Sequence, residues 1–144
     1  MMSLAGFYLG VAGCLVAGLY FWKYGKGGSL FAVASSASFL LSAVALVSVI
    51  SLYVYELPSH RCPFCLLHGE YGYVGYLLYA GLLGGGVTGA GVGLLAPFRK
   101  VESLAASLPS MQGRLARASV ALYLLFAAVS TLEILLSGLR MELL

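Results

Sequence analysis

Apolar residues run along this chain in four stretches, at 4–22, 30–55, 71–97 and 118–139, and polar residues gather between them. A bilayer core about 30 Å thick takes roughly 20 apolar residues per helix, and each stretch meets that length. Only the last contains an acid, Glu133, and the few prolines fall near stretch ends, where they do not break a span. The pattern predicts an all-α fold: an integral membrane four-helix bundle forming a single polytopic domain over residues 1–144. The first stretch lacks a basic leading region and is as long as a true span, so it is expected to stay as a helix and not to be cleaved as a signal peptide.

Composition points the same way. The chain of 144 residues is 61% hydrophobic and 9% charged, with a mean hydropathy of +0.98, too few charges to coat a water-exposed globule. The lipid bilayer is the expected solvent. Lys23 and Lys26 fall in the first connection, and Arg99, Lys100, Arg114 and Arg117 in the third. Short cytoplasmic loops collect Lys and Arg, so both connections are expected inside, with the second connection and both termini on the outer face. That face is periplasmic or extracellular, and a prokaryotic plasma membrane is the expected location. The net charge of +3 is thereby a matter of topology, and no nucleic-acid partner is expected.

Small residues recur at helical spacing within the spans. Gly81, Gly85, Gly89 and Gly93 mark one face of the third; Gly6, Gly10, Cys14 and Gly18 do the same in the first, and Ala34, Ser38 and Ser42 in the second. Lipid gives helices little hydrophobic reason to associate, so seams that let backbones approach are expected to close the bundle, with self-association or docking on a larger membrane complex as further uses. Cys14, inside such a seam, reads as packing. The third connection, with Val101, Leu104, Leu108 and Leu115 among basic and polar residues, is expected to lie along the interface as an amphipathic segment.

Reactive side chains concentrate in the second connection, where His60-Arg61-Cys62-Pro63-Phe64-Cys65 leads to His68. Proline suits the first position of a helix, which puts Cys62 at the N-cap and Cys65 at the third helical position. Both sulfurs then face free N–H groups at the start of the third helix, beside Arg61, a setting that lowers a thiol pKa. Two such cysteines can open and close a disulfide, with Cys62 as the exposed attacking thiol and Cys65 as its resolving partner.

A Cys-x-x-Cys at the outer start of a membrane helix resembles the membrane thiol oxidoreductases of the DsbB and vitamin K epoxide reductase type. The resemblance rests on Cys62, Cys65 and the surrounding topology. It implies a disulfide reduced by a thioredoxin-like or other thiol protein on the outer face and reoxidised by a membrane quinone. Those families usually carry a second cysteine pair, whereas here only Cys14 stands besides Cys62 and Cys65.

Other readings stand beside it. His60, Cys62, Cys65 and His68 form a compact set of soft ligands suited to zinc or copper, and the cysteines could instead merely staple the helix start. Glu133, an acid at outer-leaflet depth in a span, is expected to relay protons or to pair with Arg61 or a histidine, or else to sit neutral and hydrogen-bonded to a neighbouring helix. Tyr53, Tyr55, Tyr71, Tyr73, Tyr76 and Tyr79 read mainly as an aromatic interface belt, in which Tyr76 and Tyr79 lie deepest and could flank a quinone ring. Small size and the absence of a soluble domain also suit a non-catalytic accessory subunit of a larger membrane complex.

Overall fold

The computed structural model describes residues 2–25, 28–55 and 62–136, and among them there is helix but no strand. Helix α1 spans Met2–Tyr24. Helix α2, Gly28–Ala45, runs on through a π-helical turn at Leu46–Ile50 into α3, Ser51–Tyr55. After two short 3-10 helices at Pro63–Leu67 and Gly69–Tyr71 come α4, Val74–Leu95, a third 3-10 turn at Ala96–Lys100, and α5, Leu108–Leu136. Four of the described helical runs are long and apolar enough to cross a membrane: Ala5–Tyr24, Gly28–Val54, Val74–Lys100 and Leu108–Leu136.

The chain reverses where local chemistry requires it. Gly25 takes a left-handed conformation (φ 61°), and its N–H closes on the Phe21 carbonyl at 2.8 Å, ending α1 as helices commonly end. Pro109 occupies the first turn of α5, where no amide donor is needed. That helix begins ten residues earlier than its apolar stretch suggests, so Arg114 and Arg117 belong to it. Leu108 and Leu115 are likewise helical, and residues 101–107 form an exposed connection built of turns.

The glycine seam of α4 faces protein. A methyl group at Gly81 would meet Leu122 and Phe126 of α5, one at Gly85 the Tyr123 ring, and one at Gly89 the hydroxyl of Ser35 on α2, with Ser119 close behind. In α1, Gly10 opposes Leu41 and Ser38, Gly18 opposes Val120 and Phe31, and Cys14 is buried. The approach of these backbones buries hydroxyls that must find partners. Tyr123 donates to the Ser35 carbonyl at 2.8 Å, and Ser119 donates to the Gly85 carbonyl at 2.8 Å. Helices α2, α4 and α5 are thus tied together at their midpoints.

Two apolar cores lie above and below this polar layer. One gathers Phe21, Phe31, Val92, Ala116 and Tyr123 with Cys14. The other gathers Phe7, Leu46, Ile50, Leu66, Leu78, Leu82 and Phe126. The antiparallel helices bring Lys23, Arg99, Lys100, Arg114 and Arg117 to the first end, and residues 62–73 to the other.

Candidate cysteine site

The segment carrying the cysteines is anchored by an apolar side chain. Leu66, within Pro63–Leu67, is fully buried in the core beside α3 and α4. The segment lies so close to α4 that a methyl group at Gly75 would collide with the Leu66 carbonyl. Only glycine fits there. Between segment and span, Gly72 (φ 65°) and Tyr73 (φ 58°) are both left-handed, which separates the short helix from α4.

Cys62 is the N-cap of this short helix, Pro63 begins it, and Cys65 is its third residue. The positions are those the sequence predicts, but the helix is not. It is a five-residue 3-10 turn and not the start of the long third span, so the field at Cys62 comes from nearby amides, not from the dipole of a membrane helix. Hydrogen bonding from the Cys65 thiol, followed by the backbone N–H groups of Cys65 and Phe64, holds the Cys62 thiol below its ordinary pKa. Cys65 is pushed the other way, first by its hydrogen bond to Cys62 and then by burial and the Cys62 charge. Both cysteines are of intermediate exposure. Their surroundings differ. Cys65 packs on the core that holds Leu66, while Cys62 collects the amide donors.

Among the other candidates, Tyr79 packs against the same core as Cys65 and lies within electrostatic reach of Cys62. Tyr76 faces outward, 56% exposed, with its ring centroid 5.8 Å from that of Tyr73. Tyr53 departs from the interface-belt reading, being buried just beyond the π turn. Glu133 is half-buried near the last described turn of α5, at the cysteine end, and makes no hydrogen bond or ion pair among the described residues. His68 is exposed. Arg61 and His60 lie outside the described residues, as does Lys26 of the first connection. Among the described residues no three His, Cys, Asp or Glu side chains converge as metal ligands would.

Sequence reasoning did not single out Leu66, Gly72 or Gly75, which fix the cysteine segment in place. The alternation Gly-Glu-Tyr-Gly-Tyr-Val-Gly at 69–75 is the signal that could have revealed a break and a close approach there. No protein-family model matches the chain, and no curated protein or solved structure does so either.

Proposed function

We propose that this is a membrane thiol-disulfide redox protein whose working groups are Cys62 and Cys65, exposed on the outer face of the membrane. The observation that carries the reading is the unequal pair: two thiols within hydrogen-bonding range, one held toward thiolate by amide donors and the other held toward the protonated form. The concentration of basic residues at the opposite end supports the orientation.

In the direction of substrate oxidation, a substrate thiolate attacks Cys62 Sγ of the Cys62–Cys65 disulfide. The sulfur–sulfur bond breaks, its electron pair passes to Cys65, and Cys65 takes up a proton. A second substrate thiolate then attacks the substrate sulfur of the mixed disulfide and releases Cys62 as a thiolate, stabilised by the N–H groups of Phe64 and Cys65. The substrate leaves as a disulfide, and two electrons stay on the cysteine pair. A quinone would supply the two-electron, two-proton acceptor that restores the disulfide. The apolar core under Cys65 and the Tyr79 phenol within electrostatic reach of Cys62 fit such a group, and Tyr76, exposed on the same helix, is open to one arriving from the lipid.

The test is trapping. Cys65→Ser, in which the Cys62 thiolate can attack a partner's disulfide but no Cys65 resolves the product, should accumulate a covalent adduct between Cys62 and an oxidised thiol protein, visible on non-reducing gels, and Cys62→Ser should not. Absence of an adduct from both variants, together with loss of stoichiometric zinc or copper, would replace this reading by a metal centre. Unchanged behaviour of both variants would leave the cysteines a structural role within an accessory subunit.

A further inference from the structure

Away from the cysteines, in the basic half of the bundle, α1 and α5 run side by side and meet where Gly18 opposes Val120. The space between them is an apolar groove of about 680 Å³, walled by Leu15, Leu19, Trp22, Val120, Ala121 and Leu124. Both helices are spans, so this groove opens onto acyl chains. Toward the basic end it adjoins a second hollow of about 280 Å³, which shares Phe21, Trp22 and Gly113 with it and is bordered by Arg99 and Pro109. The guanidinium of Arg117 lies over the Trp22 ring, 5.3 Å from its centroid, on the groove wall. It makes no hydrogen bond or ion pair among the described residues, so its donors are available to a ligand. The described residues at this end carry five cations, Lys23, Arg99, Lys100, Arg114 and Arg117, against one acid, Glu102.

We infer that the α1–α5 groove is a binding site for one anionic phospholipid, with an acyl chain along the apolar walls and the phosphate group at Arg117. The groove alone would accept any acyl chain. The charge at its mouth selects the headgroup, because an arginine fork pairs with phosphate oxygens and the surrounding cation excess favours a lipid of net negative charge.

Trp22 is the only tryptophan in the chain and is 67% exposed, so the site carries its own reporter. The full-length protein would be reconstituted in phosphatidylcholine vesicles containing an equal mole fraction of either brominated phosphatidylglycerol or brominated phosphatidylcholine. Bromine quenches indole near contact. Wild type is expected to show quenching by the anionic lipid as though it were enriched about fivefold at the site. Arg117→Gln should bring that ratio close to one, and Arg117→Lys should keep much of it. Arg114→Gln removes the same charge from α5 but lines neither hollow, so it should leave the preference largely intact. Ala121→Phe, which fills the groove, should reduce quenching by both lipids. Equal quenching by the two lipids in wild type would overturn the proposal, as would equal losses in Arg114→Gln and Arg117→Gln, which would mean diffuse surface attraction. Failure of both lipids to quench wild-type Trp22, as when a second copy covers it, would overturn it too.

Discussion

At the basic end, Arg99 donates to the Gln112 side chain at 2.6 Å and to the Gly25 carbonyl at 2.8 Å, its guanidinium over the Phe21 ring, while Gln112 donates to the Val92 carbonyl at 3.0 Å. One cation thus gathers the ends of α1, α4 and α5. At the cysteine end the closing element is Leu66, an apolar plug fully buried in the core, and the Tyr8 and Thr131 hydroxyls meet at 2.8 Å between α1 and α5. Buried hydroxyls there are also less well served, for Ser42 and Ser130 have no hydrogen-bond partner among the described residues. A directional clamp at one end and a greasy plug at the other suit different tasks. Hydrogen bonds to a charged group fix relative positions, whereas apolar contact lets a short segment shift with little loss. On the proposed redox reading, a thiol pair that meets another protein's sulfur belongs at the second kind of end.

That contrast can be broken by substitution. The largest effect is expected at the polar layer between the two ends. Gly89→Leu would drive a side chain into the Ser35 and Ser119 hydroxyls, and should cost about 3 kcal/mol, the upper end of the usual cost of overpacking. Thermal unfolding in detergent measures it. Next is Arg99→Ala, which strips the clamp and leaves Gln112 half-paired, at about 2 kcal/mol. Its unfolding temperature should fall while thiol alkylation at Cys62 and Cys65 stays as in wild type.

Gly75→Ala should do the reverse. The new methyl group pushes on the Leu66 backbone and costs about 1.5 kcal/mol, but its main effect is on the cysteines. In wild type, Cys62 should alkylate at pH values below those at which an ordinary thiol reacts, and Cys65 only above them, following the lowered and raised pKa values. Shifting the segment should draw the two pH profiles together. Mass spectrometry of peptides alkylated across a pH series would show the change, and profiles that remain apart would mean that Leu66 does not hold the pair in place. The smallest effect is expected for Gly72→Ala, about 1 kcal/mol for a left-handed position given a side chain, with the alkylation profiles nearly unchanged.

How far the sequence was legible follows the same division. Span length and the glycine seam of α4 were readable because bilayer thickness and close packing impose them on any sequence. The partners of the seam were not: Ser35, Ser119 and Tyr123 sit among apolar neighbours, and nothing in their spacing shows which hydroxyl meets which carbonyl. The early start of α5 was hidden by Arg114 and Arg117, which look like loop residues yet occupy the outer flank of a helix. Its buried stripe at Leu108, Gln112, Ala116, Ser119 and Tyr123 keeps helical spacing throughout and was there to be read. For the site, Cys62 and Pro63 fixed the cap correctly, because that geometry depends on adjacent residues alone. The separation of that cap from α4 depends on Gly72 and Tyr73, two residues whose backbone could only be known in place.

The π turn at Leu46–Ile50 bears on how this protein can vary. A π turn holds one residue more than an α turn, and each residue of an α-helix advances the side-chain direction by about 100°. The second span thus carries a phase correction just before Ser51, Leu52 and Tyr53, all of which are buried where α3 meets the Pro63–Leu67 segment and α5. Were this turn to close as α-helix with every residue kept, that whole triplet would turn by roughly a quarter of a revolution, Tyr53 would swing out of the core, and the floor beneath the cysteine segment would be rebuilt from different side chains. Loss of one residue within the turn would instead let the helix straighten with the triplet still in phase, whereas loss of one elsewhere in the span would rotate it. At the π turn, the count of residues carries information that their identities do not.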